Sequence, residues 1–426
     1  MRVVSISMLT IEQIAPYAET IIGILPSLWE QSGEEHLMKQ AILTILSRLV
    51  TSMKAASVPF HHLVLPIIKG AVEPGSDTQV YLLDDALDLW ANILIQTPAP
   101  ASPELLQLAP YLFSIFDLGS ENLRTALDIT SSYFLLAPSE MLSDEMRKPL
   151  IASLSNLVGY VKADASGTVN NLVELIIRSA ERIGGESAIS TIASDLVESD
   201  FLRKQLRGLY GSWVAHCTTG PLAKDPPVDG IVETDYLSVL ARLALGSENI
   251  FLQAVQASAP PIPLSDTTNQ PSLHDSMKWL LEEWFSHFEN IGDPSRRKLM
   301  CLALTKLLST SQPFILASLQ SLMTLWTDMV NEIREEGGAV DSDTLVYESI
   351  DQLRNTDPEV IEAPEDERRR ELSFADPVHN VRVAQWIKHY LEVAIQAAGG
   401  QEAFQGEWLV NVDKDVIAAF GELGIM

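Results

Sequence analysis

The stretch Val80–Pro98, VYLLDDALDLWANILIQTP, constrains this chain more than any other. Its apolar residues Leu83, Ala86, Leu87, Trp90, Ile93 and Leu94 recur at the spacing that puts them on one helical face. Asp84, Asp85 and Asp88 fall off that face. Pro98 ends the helix, because the residue before a proline avoids helical backbone. A helix with a wide apolar face and an acidic back needs a neighbour on its apolar side. The chain supplies one at short intervals: Ile11–Ser32, Glu34–Ser57, Phe60–Val72, Phe201–Cys217, Leu273–Glu289 and Pro313–Arg334 carry the same period. No run of strand alternation competes with them.

Starts of successive helix pairs recur about every 40 residues, the period of HEAT repeats. With 426 residues the chain is too long for one ordinary compact core. The expected fold is all-α: a right-handed α-α superhelix, a HEAT-repeat solenoid of about eight to ten helix pairs. Each repeat then buries its apolar face on its two neighbours. Trp90, Leu127, Tyr133, Leu175, Trp213, Trp284 and Trp326 are expected to fill those interfaces. Residues 1–334 form this solenoid. Residues 335–375 read as an acidic, largely mobile insertion carrying Glu362, Glu365, Asp366 and Glu367, and its removal is expected to change partner affinity more than stability. Residues 376–426 resume the helices, and Phe404, Trp408, Leu409, Val412, Val416 and Phe420 are expected to cap the last repeat.

Acidic residues outnumber basic ones 57 to 29, a formal charge of −28. That balance disfavours nucleic acid and anionic membranes and suits basic protein partners. The two cysteines, Cys217 and Cys301, lie far apart, which predicts free thiols in a reducing compartment. There is no Asn-x-Ser/Thr acceptor. No apolar run is expected to reach the ~20 residues of a membrane span, and MRVVSISMLT lacks the parts of a signal peptide.

Motifs for catalysis are absent: no phosphate loop, GxGxxG, GxSxG or HExxH occurs. The expectation is of no catalytic, cofactor-binding or metal-binding residues. His61 and His62 point in different directions on a helix, and His216-Cys217 lacks the three- or four-residue spacing of a metal or catalytic pair. Glu282-Glu283 reads as a solvated helix face. Arg296-Arg297-Lys298 sits in a first turn, where the helix dipole disfavours cations, so acidic partners are expected there, the insertion among them. Function then rests on surface. The second helix of each pair should build a concave face carrying Asp84, Asp88, Arg124, Asp128 and Glu174 as candidate partner-binding residues, while outer helices leave shallow apolar clefts.

Five blocks in order carry a family likeness: LPSLWEQSGEEHLMKQAILTILSRLV, VYLLDDALDLW, GSENLRTALDI, DPSRRKLMCLAL and FADPVHNVRVAQWI. Together they resemble the C-terminal half of an importin-beta (karyopherin-beta) superfamily nuclear transport receptor, of the importin eleven type with its fungal counterpart. The resemblance implies a receptor that binds cargo proteins on its concave face, contacts phenylalanine-glycine nucleoporins and answers to Ran GTPase. It implies shuttling between cytoplasm and nucleus, and it places the main Ran-binding repeats in a half that this chain does not include. A HEAT scaffold without a transport role is the alternative that shares the fold.

Overall fold

The computed structural model describes residues 11–118, 120–219, 224–263, 271–337 and 362–425. The chain separates into two compact units, Met1–Ser153 with Glu359–Leu372, and Leu154–Pro358 with Ser373–Met426, a division that the sequence reading did not draw. Among the described residues every regular element is helical. Met1–Thr10 and the core of the expected insertion, 338–361, lie outside the described residues.

The first unit holds α1 (Ile11–Gln31), α2 (His36–Met53), α3 (His61–Val72), α4 (Asp77–Gln96), the short α5 (Pro103–Leu106) and α6 (Tyr111–Ile115), α7 (Ser120–Leu136) and α8 (Pro138–Met141), with α9 (Asp144–Leu157) next along the chain. The stretch that opened the sequence reading is α4. Ser76 caps it, its Oγ accepting from Gln79 N at 3.1 Å, and the extended Thr97 before Pro98 ends it. Two helical stretches are interrupted. By length and composition 36–72 is apolar enough to cross a membrane, which the expectation of no such run missed. The chain turns at Lys54, which has φ 51°, so the run becomes α2 and α3 with Leu43, Leu46, Leu49, Ile68 and Ala71 in the core. Pro110 likewise divides the segment after Ser102 into α5 and α6, since proline offers no helical N–H.

Helices of one row stack in parallel, and side-chain bonds fix their register. Gln40 Nε2 donates to Asp85 Oδ2 and Asn92 Nδ2 to Ser47 Oγ, each at 2.9 Å and each across 45 residues. Trp90 Nε1 donates to Tyr133 Oη at 2.9 Å across 43 residues. These offsets match HEAT repeats rather than the shorter ~34-residue tetratricopeptide repeat. The Tyr133 hydroxyl passes the chain on to the Leu105 carbonyl at 2.7 Å.

The second unit continues with α10 (Ala163–Glu198), α11 (Phe201–Cys217), α12 (Gly230–Gly246), α13 (Glu248–Ser258), α14 (Leu273–Phe288), α15 (Pro294–Lys306), α16 (Pro313–Leu316) and α17 (Leu319–Gly337). After α18 (Pro364–Ala375), treated below, come α19 (Pro377–Asn380), α20 (Val383–Ala397), α21 (Gln401–Glu407) and α22 (Lys414–Glu422). Gly185, at φ 58°, bends α10 into the two helices that the sequence reading expected. One row runs α10, α12, α15, α20, and a second runs α11, α14, α17, α22. Here the register is longer than the expected 40. Arg296 meets Asp235 and Lys306 meets the Leu245 carbonyl across 61 residues, and Trp213 meets Glu282 across 69. The surplus is α13 and the connecting segments.

Most expected interface residues are buried. Trp326 donates to Thr305 Oγ1 at 2.7 Å, and its ring lies 5.5 Å from Phe420, so α22 closes the row. Trp213 differs: it is half-buried and its ring nitrogen reaches Glu282. The Trp90–Tyr133–Leu105 chain makes one prediction. Tyr133→Phe strands a buried indole N–H and a carbonyl, so the unfolding free energy should fall by about 1–3 kcal/mol. An unchanged urea midpoint in Y133F would show that the chain contributes nothing to stability.

Candidate partner-binding surface

In the first unit α4 turns one edge outward. Asp84 and Asp88 are exposed there, one turn apart, and Asp85 beside them is half-buried on Gln40. Partial burial and then the charges of Asp85 and Asp84 push the Asp88 carboxyl above its ordinary value. On the neighbouring α7, Arg124 and Asp128 are also exposed. Burial raises the Asp128 carboxyl against the pull of Arg124 and Arg369. Beside the acidic edge stand three exposed apolar side chains, Val80, Tyr81 and Leu118, around a hollow of about 290 Å³ that Asp84 and Asn122 also line. Carboxylates flanked by exposed apolar groups suit a basic segment with apolar side chains of its own.

The end of the expected insertion is not a mobile acidic strand but a helix. In α18 Glu365 and Leu372 are buried, whereas Asp366 and Glu367, and Glu362 just before the helix, are exposed. Glu365 pairs with Arg369 at 2.7 Å, and Glu362 pairs with Arg370. Arg368 donates to the Thr97 carbonyl at 2.8 Å and the Leu94 carbonyl at 3.4 Å, capping the C-terminal end of α4. Burial lowers the Arg368 guanidinium, opposed by Glu365 and Glu367. Residues 364–372 therefore carry packing, and removing them would strip a cap from α4. A signal for this was present: Pro364 followed by Glu-Asp-Glu and then three arginines is a helix start with its dipole complemented.

Glu174 is not a free surface carboxylate either. In the second unit Arg242 Nη1 donates to both Asp376 oxygens at 2.9 and 3.0 Å, and its Nη2 approaches Glu174 Oε2 at 3.5 Å. Arg178 Nε reaches Asp376 Oδ2 at 2.9 Å. Together with Arg296 these groups line a polar hollow of about 250 Å³. Burial would raise Asp376, but Arg242 and Arg178 outweigh it and hold the carboxyl below its ordinary value. Burial wins at Glu174 and pushes it up, against Arg242, Arg296 and Arg178. The basic cluster does meet acids from the helices: Arg296 meets Asp235 at 2.7 Å, and Arg297 meets Glu332 at 3.0 Å. Glu283 is buried, not solvated, and joins His216, Glu233 and His287, the group among the described residues able to hold a metal ion.

An apolar cleft of about 770 Å³ opens between α3 and the α5–α6 segment, lined by Val58, Pro59, Leu65, Leu108 and Tyr111 among others. His61 sits at it, buried, its pKa lowered by desolvation. His61 and His62 form no pair: His62 Nδ1 bonds the Pro59 carbonyl at 2.8 Å.

Residues 40–425 match the family described as Importin-11-like, TPR repeats. Human Importin-11 is 26% identical over 412 residues, which is 96% of this chain and 39% of that protein. The Importin beta-like protein kap113 of Schizosaccharomyces pombe is 26% identical, with 96% and 38% covered. The solved structure of Lph2, described as a bidirectional nuclear transport receptor in S. cerevisiae, superposes with a TM-score of 0.77 at 19% identity, over 99% of this chain and 42% of that one. That likeness shows the fold, an α-α superhelix of the HEAT type. The chain spans about two fifths of the length of these relatives.

Two predictions follow from these ion pairs and caps. Arg368→Met should lower the unfolding free energy by about 1.5–3 kcal/mol, since it removes charge-assisted bonds to two helix-end carbonyls; amide exchange at the end of α4 should rise with it, and unaltered exchange would deny the cap. For Asp376 the folded pKa is depressed, so its stabilisation is present above the unfolded value near 3.9 and lost as pH falls through the lower folded value. Asp376→Asn should therefore cost most near pH 6, with the gap to the parent chain closing below about pH 4 in urea titrations.

Proposed function

The chain belongs to the importin-11-like family, and from that premise we propose that it forms a cargo-binding portion of a nuclear transport receptor. The observation that carries the proposal is the edge of α4, where Asp84, Asp85 and Asp88 stand together beside exposed Val80 and Tyr81. Burial and then the charges of Asp85 and Asp84 hold the Asp88 carboxyl above its ordinary value, and an incoming cation would offset both. The formal charge of −28 extends the same preference over the surface. The partner is then a protein with a basic, partly apolar segment. Relatives named as nuclear transport receptors or importin beta-like proteins support a role in carriage between cytoplasm and nucleus. They also support binding without catalysis.

In the whole receptor, Ran in its GTP form would govern release, and phenylalanine-glycine nucleoporins would dock in apolar clefts between outer helices. The cleft between α3 and α5–α6 has the size and lining for a phenylalanine side chain. The test is a fluorescence titration with a lysine-rich peptide carrying aromatic residues. Neutralising the edge, D84N with D85N and D88N, should weaken binding about tenfold, a loss of about 1.4 kcal/mol. Raising salt should weaken the parent chain and leave the triple variant nearly unchanged. Equal affinities for parent and variant would reject the α4 edge as the binding surface. Exclusion of the chain from a phenylalanine-glycine hydrogel would favour a scaffold role.

A further inference from the structure

The geometry points to a zinc-class divalent cation site, which we propose is formed by His216, Glu233, Glu283 and His287 and ties three helices of the second unit together. The four residues come from three elements. His216 stands in the last turn of α11 and Glu233 in the first turn of α12. Glu283 and His287 stand one turn apart on α14, so both project from one face. One ligand atom from each lies within 4.8 Å of all the others. His287 Nε2 is 2.5 Å from Glu233 Oε2 and 3.2 Å from Glu283 Oε1, and His216 Nδ1 is 3.0 Å from the same Glu283 oxygen. In a tetrahedral site with bonds of about 2.0–2.1 Å, ligand atoms sit roughly 3.3 Å apart. The observed spacings, from 2.5 Å to at most 4.8 Å, bracket that distance.

The protein's own groups leave this cluster incomplete. Glu233 is 1% exposed and Glu283 2%. Two carboxylates are thus held out of water together: His287 Nε2 lies against both, and His216 Nδ1 reaches Glu283 alone. The 2.5 Å approach to Glu233 lacks hydrogen-bond geometry, and neither Glu233 oxygen has a hydrogen-bond partner. Two buried carboxylates held side by side cost free energy unless a positive charge sits between them. A divalent cation between two neutral imidazoles and two carboxylates removes that cost and leaves no net charge. Two nitrogen and two oxygen donors in a compact group match zinc better than the harder, oxygen-only ions. Access is present: a hollow of about 380 Å³ opens onto Glu283 and His287, lined also by Trp213, Cys217 and Asn290. Periodicity along one helix could not reveal the site, because three helices contribute and Glu233 looks like an ordinary first-turn acid.

The full chain, stripped with chelator and dialysed, is titrated with Zn²⁺ by calorimetry and with Co²⁺ by visible absorption. The expected results are one Zn²⁺ per chain, a higher melting temperature with metal, and the visible band of tetrahedral Co²⁺. Glu233→Gln and His287→Gln should weaken zinc binding by about 100-fold or more. His216→Ala alters the most exposed ligand, so it keeps the fold while weakening binding and bleaching the Co²⁺ band. His274→Ala, an exposed histidine elsewhere, should change neither. Zinc binding no tighter than that of the H216A variant, or a Co²⁺ spectrum without the tetrahedral band, would overturn the site and leave the cluster a buried acid–imidazole contact.

Discussion

The structure depends on one constraint: the apolar face of each helix must be covered by the equivalent helix of the next repeat. In α12 the requirement is met so fully that every residue from Val232 to Leu245 is buried. Fully burying one leucine contributes about 1.5–3 kcal/mol, so register errors of a single turn would be expensive. Polar bonds then choose among the registers that burial allows. Gln40–Asp85 and Ser47–Asn92 do this between α2 and α4, and Trp90–Tyr133 does it between α4 and α7.

Parallel stacking also puts helix ends of like polarity side by side, and their carbonyls need partners. The same device recurs. Lys306 of α15 donates to the Leu245 and Gly246 carbonyls at the end of α12. Lys204 of α11 donates to the Ser155 carbonyl near the end of α9. Arg368 does so for α4, and Arg334 reaches the Leu423 carbonyl after α22. In each case a cation from elsewhere in the fold satisfies orphan acceptors and meets the negative end of the helix dipole.

The fold was largely legible because its cause is periodic. Apolar spacing placed α4 and Phe201–Cys217, and glycine or proline marked most ends. What escaped is what periodicity does not encode. Helical spacing says which side of its own helix Glu283 occupies, but not that His216 stands opposite it 67 residues away. Glu174 reads as a surface acid until Arg242 arrives from 68 residues on. Composition misled at α18, where carboxylates outnumber apolar residues, although Arg368 ties the helix to the end of α4 and Arg369 and Arg370 pair with its own acids. The candidate surface was legible in part: Asp84, Asp88, Arg124 and Asp128 are exposed on successive helices of one row, whereas Glu174 and Glu365 are spent on internal pairs.

The internal use of cations changes what the formal charge means. Arg178, Arg242, Arg296 and Arg297 in the second unit, and Arg368 in the first, are committed to buried or half-buried acceptors. Those groups screen nothing outside the protein. Each of those ion pairs removes a carboxylate along with its cation, so the excess of acids over bases, a formal charge of −28, is left on the other groups. At α4 partial burial raises the proton affinity of Asp88, and the charges of Asp85 and Asp84 add repulsion to it in the free protein. An incoming ammonium or guanidinium group relieves that repulsion as well as forming its own ion pair. Binding and loss of the raised proton affinity are then two sides of one linkage, and the edge favours cationic partners by more than pairwise attraction alone.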